Sequence, residues 1–216
     1  MFCELSRFGT EADLRRIPLS RRSHIVGSQA LATGVAEHES ALERDFVTLA
    51  SFNDSGAVLT AQPVTIRFEH DGRMRRYTPD FLVEWSAAGA ELVEVKYRDD
   101  LRANWSRLRP AFVAARNWAR DQGIRFRIAT EREIRVPLLD AAKRLLPLRN
   151  TPIDAPLAEL AIGRVRDGAI AFIDLVDALP ASREASLAVV WRLIARGRLS
   201  VNLSAPIEPR TLVRVE

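Results

Sequence analysis

A chain of 216 residues with 47% apolar and 28% charged side chains suits one large domain or two small ones, with enough apolar material for a core. Its net charge of +4 and isoelectric point of about 9.9 lean toward a polyanionic partner without singling one out. A lone cysteine, Cys3, excludes an intramolecular disulfide and a cysteine-based zinc site, and no run approaches the ~18 apolar residues of a membrane span.

Charges at Glu4, Arg7, Glu11, Asp13, Arg15 and Arg16 leave no apolar signal core, so a cytoplasmic location is expected, with no membrane partner. The three histidines, His24, His38 and His70, lack metal-ligand spacing. Residues 1–140 hold 21 basic and 20 acidic side chains, and residues 141–216 hold 11 and 8, so neither part is a basic tail.

Residues 1–36 read as an irregular N-terminal arm, with Arg15-Arg16 and Arg21-Arg22 in a stretch containing Ser and Gly. A helix is expected over 38–52, where Leu42, Phe46, Leu49 and Ala50 fall at helical spacing, and Asn53-Asp54-Ser55-Gly56 stops it. The period then changes to two. Val64, Ile66 and Phe68 read as a strand, Asp71-Gly72 as a hairpin turn, and Arg75–Thr78 as the return. Further strands are expected over Phe81–Trp85, Leu92–Lys96 and Ile124–Ala129. A helix over 104–122 separates the last two, with Pro110 either kinking it or starting its stronger half. This order is α/β: a mixed sheet flanked by helices.

Leu146-Pro147 to Pro156 reads as a linker. Beyond it come a short strand at Ala169–Ile173, a short helix at Asp174–Leu179 and a longer helix at Glu184–Arg196, closed by Gly197. Leu199–Leu203 and Leu212–Val215 then pair as two strands. Helix, turn, helix and two strands is the winged-helix order. The expected organisation is an arm over 1–36, a sheet domain over 37–146 and a small winged-helix domain over 147–216.

Of the 32 basic residues only Lys96 and Lys143 are lysine. Lysine kept against an arginine background draws attention, because a compact ammonium does what a flat guanidinium fork cannot. Lys96 closes Glu94-Val95-Lys96, and upstream stands Tyr77-Thr78-Pro79-Asp80. A Pro-Asp before one strand and Glu-x-Lys within the next is the pattern of metal-dependent nucleases. Phosphodiester hydrolysis needs a divalent cation, a nucleophilic water and compensation of transition-state charge. Magnesium, with manganese able to substitute, takes oxygen ligands, so Asp80, Glu94 and the Val95 carbonyl are candidate ligands for one or two ions. Strand alternation puts Glu94 and Lys96 on one face while Val93 and Val95 bury on the other. Lys96 is placed to orient the attacking water. Glu43, beside the buried face of the first helix, is a candidate third carboxylate, with Glu39 as its competitor.

Taken singly, a Pro-Asp is a common turn, and Glu-x-Lys is often a solvated pair worth ~0–1 kcal/mol. Their order along the chain is what favours a nuclease site. Arg75, Arg76, Arg98 and Arg102 flank it as candidate DNA-phosphate contacts. Arg107 and Arg109 suit a solvated helix face equally well. Trp105 and Trp118 read as core or interface residues.

Ser40-Ala-Leu-Glu43-Arg-Asp-Phe46, Gln62-Pro63, Tyr77-Thr-Pro-Asp80-Phe-Leu-Val83 and Glu94-Val-Lys96 together resemble the TnsA family, the endonuclease subunits of heteromeric bacterial transposases. Arg22-Ser23-His24 and Ile128–Ile134 are also similar. The resemblance implies a restriction-endonuclease-like fold followed by a winged helix. It implies a magnesium-dependent enzyme that cuts the 5′ strand ends of a transposon. Partners would be transposon-end DNA, a DDE-type transposase and an AAA+ ATPase regulator. It places the family's catalytic residues on Glu43, Asp80 and Lys96. Glu94 stands where the family can carry Gln, and a carboxylate there should bind metal at least as well. The rival expectations are a stand-alone restriction or repair nuclease, a non-catalytic assembly adaptor, and a winged-helix regulator.

Overall fold

The computed structural model describes residues 27–31, 34–38 and 41–215, the first two segments through their backbone alone. Cys3, Arg22-Ser23-His24, Glu39 and most of the expected arm therefore lie outside the described residues. Within the arm's last part, β1 (Gly27–Leu31) and β2 (Gly34–His38) pair antiparallel, where the sequence reads as irregular. After α1 (Ala41–Asn53) come β3 (Val58–Ala61), β4 (Ile66–His70), β5 (Arg73–Tyr77), β6 (Phe81–Trp85) and β7 (Gly89–Val95). The long α2 (Arg98–Asp121) and β8 (Arg125–Ala129) follow. Next come α3 (Glu131–Ile134), α4 (Pro137–Leu145), α5 (Ala155–Val165), β9 (Ile170–Ala171), α6 (Phe172–Asp177), α7 (Arg183–Ala195), β10 (Leu199–Ser200) and β11 (Leu212–Val215).

The chain divides into two compact units. The first holds the described residues up to Val47 together with Asp54–Glu133. Its centre is a four-stranded sheet in the order β3-β6-β7-β8, antiparallel except for the parallel β7–β8 pair. Period-two alternation gives each face its own cover. Phe81 and Val93 are register partners on one face, where the Phe46 ring of α1 meets Phe81 at 5.5 Å between centroids. On the other, Leu92 packs with Ala115 and Ala119 of α2 and with Ile66. This is the mixed α/β sheet flanked by helices that the sequence implies, consistent with a restriction-endonuclease-like fold. The β4–β5 pair forms a separate two-stranded ribbon.

The α2 helix starts at Arg98, earlier than its apolar period suggests, and runs through Pro110. Tyr97 provides no side-chain cap. The Glu131 carboxylate accepts the Arg98 N–H instead, at 2.9 Å, supplying the acceptor and negative charge that a helix N-terminus favours.

The second unit comprises Thr48–Asn53 and Ile134–Glu216, so its packing starts before Pro147. Leu145, Leu157, Leu175, Val190, Leu199 and Val213 form its core. Asp154 caps α5 by accepting the Leu157 N–H, and Ser182 caps α7 by accepting the Ala185 N–H. A small sheet runs β10-β11-β9, with both pairings antiparallel. The Arg149 guanidinium donates to the carbonyls of Ser51, Phe52 and Ala195, satisfying the open C-terminal ends of α1 and α7.

Candidate active site

Three carboxylates and one ammonium interact where β6 begins and β7 ends. Asp80 immediately precedes β6. Its Oδ2 accepts the backbone N–H of Val95 at 2.7 Å, tying the start of one strand to the end of its neighbour. Its carbonyl accepts the N–H of Gln62 at 2.7 Å, which extends the β3–β6 ladder by one bond. Gln62 makes this bond with φ at 48°, a left-handed conformation that non-glycine residues seldom adopt. Pro79, which precedes Asp80, is buried.

Glu94 is buried on β7, on the Leu92 face, and both of its oxygens are engaged. Oε2 accepts a 2.6 Å hydrogen bond from the Tyr77 hydroxyl, and Oε1 lies 3.3 Å from the Lys96 ammonium. Val93 and Val95 are buried on the other face, as the alternation requires. Lys96 continues the β7–β8 ladder by donating its N–H to the Ala129 carbonyl, while its half-buried side chain returns toward Glu94. Glu43 is half-buried on α1 and joins the same electrostatic cluster.

The charges do not balance. Burial, then Glu94, then Glu43 push the Asp80 carboxyl well above the usual carboxylate range, against the Val95 N–H and Lys96, which pull it down. Lys96 shows the complementary response. Burial disfavours its charge, but Glu94 and Asp80 more than offset this, and its pKa rises. It is an ammonium at neutral pH. Burial and Glu94 likewise raise the Tyr77 hydroxyl, which stays protonated and can only donate to Glu94. Lys96 is the cation shared by Asp80, Glu94 and Glu43 among the described residues, and the donors are the hard oxygens that magnesium prefers. Among the described residues no three His, Cys, Asp or Glu side chains converge tightly enough to hold an ion unaided.

Residues 58–131 match the family model described as TnsA-like endonuclease N terminal. Over this segment the chain is similar to TnsA-like endonuclease domains. No curated protein matches the chain. The TnsA-like segment contains Tyr77, Asp80, Glu94 and Lys96, whereas Glu43 precedes it on α1. It implies a DNA substrate and a heteromeric transposase setting. No helix among the described residues is long and apolar enough to cross a membrane.

Of the arginines expected around the TnsA-like site, Arg75 and Arg76 are exposed on β5. Arg98 opens α2, with its backbone N–H on Glu131. Arg102 pairs with Asp99 at 3.3 Å on an exposed helix surface. Trp105, expected in a core or interface, is 49% exposed, with its ring 6.1 Å from that of Phe112. Two residues given no role from the sequence position the site: Gln62 holds the Asp80 backbone and Tyr77 holds Glu94. Tyr77 had a readable signal. It pairs with Ile66 across the ribbon, on the side turned to α2, where a phenolic hydroxyl needs a partner.

Proposed function

We propose that this chain is the endonuclease subunit of a heteromeric transposase, a magnesium-dependent phosphodiesterase that cuts the 5′ strand ends of a transposon. The observation that carries this reading is the acidic excess around Asp80, built on a TnsA-like domain. Asp80, Glu94 and the Val95 carbonyl, with Glu43 beside them, are the groups that would hold magnesium. When bound, the ion supplies polarisation of the scissile phosphate and a water of lowered pKa. Tyr77 orients Glu94 by donating to one of its oxygens. Lys96 carries a proton that cannot easily leave, and it can orient the attacking water and offset the charge developing on phosphate. Arg75, Arg76, Arg98 and Arg102 supply sequence-independent phosphate contacts, Arg102 the least because Asp99 already engages it.

Partners follow from the same reading. A DDE-type transposase selects the transposon ends, and an AAA+ ATPase regulator selects the target, all in the cytoplasm. The second unit, read as a winged helix, serves mainly as a docking module. Its α7 carries few cations for a groove-reading helix: Arg183 and Arg192, with Arg196 at its C-cap.

The test is nicking of end-containing DNA by the complete protein set in magnesium. Asp80→Ala should abolish 5′-strand nicks while the variant still co-purifies with its transposase. Undiminished nicking by Asp80→Ala would remove the site from the reaction.

A further inference from the structure

The β4–β5 ribbon has features that its own fold does not need. Its root is fixed. Ile66 packs with Ala115 and Ala119 of α2, and Tyr77 meets Phe112 edge-on and donates to Glu94. Its tip is a tight Asp71-Gly72 turn with φ of 51° and 68° at the two positions, the twist-matched geometry of a two-residue hairpin.

Between root and tip the surface is cationic. Arg67, Arg73, Arg75 and Arg76 are exposed, and among the described residues none of them forms an ion pair. Arg67 and Arg76 are register partners, two like charges directly opposite each other, an arrangement that destabilises a strand pair. The ribbon's two acids form no ion pair with this pair among the described residues: Asp71 pairs with His70 at the tip, and Glu69 stands opposite Met74. Met74 is 68% exposed, the highest value among the large apolar side chains described. Glu69 and Met74 share the ribbon face of Arg67 and Arg76, turned away from Ile66 and Tyr77.

A narrow cationic ribbon with an apolar side chain near its tip fits the major groove of duplex DNA, which is about 12 Å wide and admits two strands. We propose that the β4–β5 ribbon is a groove-seated DNA clamp. The Arg67–Arg76 pair neutralises backbone phosphates, and Met74 lies against base edges. The inference rests on the nuclease reading for its substrate. It also places the contact, because the three strand steps from Tyr77 to Met74 span about 10 Å. The clamp thus grips the duplex within about three base pairs of the candidate site.

The test uses the full chain and a fluorescein-labelled duplex of mixed sequence, without divalent cation, over a series of potassium chloride concentrations. Arg67→Gln combined with Arg76→Gln should make the slope of log affinity against log salt shallower by about 2. The Arg67→Lys, Arg76→Lys pair should keep the slope. Met74→Ser should weaken duplex binding about tenfold with the slope unchanged. The glutamine pair should melt no lower than wild type, because it removes a repulsion, so a lost slope is not unfolding. An unchanged slope in the glutamine pair overturns the clamp. Equal losses on a single strand of the same sequence overturn its seating in a groove. Cleavage is not read in this assay. A shallower slope upholds the ribbon even if the wild type fails to nick in the complete system, and an unchanged slope removes it even if the wild type nicks.

Discussion

Glu91 and Glu94 stand three positions apart on β7, both buried, on opposite faces of one sheet. Glu91 meets Arg125 at 2.7 Å and Arg127 at 3.2 Å, with the Trp85 indole N–H at 3.4 Å. Arg127 continues to Glu133 and lies over the Phe46 ring, so this cluster joins β7, β8 and α1. Two guanidinium groups face one carboxylate there. Around Glu94 the ratio is reversed among the described residues, where the Lys96 ammonium is shared by Glu94, Asp80 and Glu43. Burial is common to both glutamates and distinguishes neither. Local charge balance does, because a neutralised buried cluster holds elements together, whereas an acidic excess favours a retained proton or a bound cation.

The sharpest way to break this contrast is a charge-conserving swap at each cluster. Lys96→Arg keeps the positive charge but loses the compact ammonium, and nicking should fall on the order of 10²-fold in the complete system. Arg125→Lys, at a side chain 74% exposed, should leave nicking unchanged. Equal activity in both variants would show that Lys96 is interchangeable countercharge.

Removal of the neutralised glutamate should cost stability and spare activity. Glu91→Ala leaves Arg127, 37% exposed, without its buried partner, and should destabilise by about 1–3 kcal/mol in chemical denaturation. Nicking per folded molecule should remain. Lost nicking in a folded Glu91→Ala protein would mean that the two clusters are coupled through β7.

At Asp80 the sign should reverse. Its folded-state pKa lies above the ordinary 3.8. As pH rises past 3.8 the unfolded chain releases this proton first, so the fold loses stability until the buried carboxyl also ionises. Asn keeps an oxygen for the Val95 N–H and carries no charge. Without divalent cation, Asp80→Asn should therefore melt higher than wild type at pH 7, and the two should converge as pH falls toward 3.8. A lower midpoint for the variant at pH 7 would show that Asp80 is already neutralised within the chain.

The residues of this acidic cluster were legible wherever the signal was local. Period-two alternation placed Glu94 and Lys96 together, and Pro79-Asp80 marked the strand start. Tyr77 and Gln62 needed tertiary knowledge, because their value lies in meeting Glu94 and Asp80 across strands. The β3 strand escaped notice because Val58–Ala61 is only four residues long and its partner, β6, lies beyond the ribbon. The α5 helix was hidden by its prolines. Pro152 and Pro156 read as linker, yet Pro156 sits in the first turn of a helix capped by Asp154, where proline is well tolerated. The early start of α2 was invisible for a different reason: its acceptor, Glu131, is remote in sequence.

Asp54 extends the contrast to a carboxylate at the surface, where hydrogen bonds replace countercharge. Its oxygens accept the Ser86 N–H at 2.7 Å, the Ser86 hydroxyl at 2.8 and 2.9 Å, and the Gly56 N–H at 2.9 Å. It thereby joins the turn before β3 to the end of β6. The Ser86 N–H, then its hydroxyl, hold the Asp54 carboxyl below its ordinary 3.8. A depressed carboxyl contributes stability that is complete above the unfolded value and lost as pH falls through the folded one. The gap in melting temperature between wild type and Asp54→Asn should therefore be small but constant above that range, and should close as pH falls below 3.8. This trend is opposite in origin to that at Asp80, where approach to 3.8 relieves the wild type of an unfavourable charge. A gap at Asp54 that ignores pH would mean that amide and carboxylate accept these bonds equally well, and that charge adds nothing at this turn.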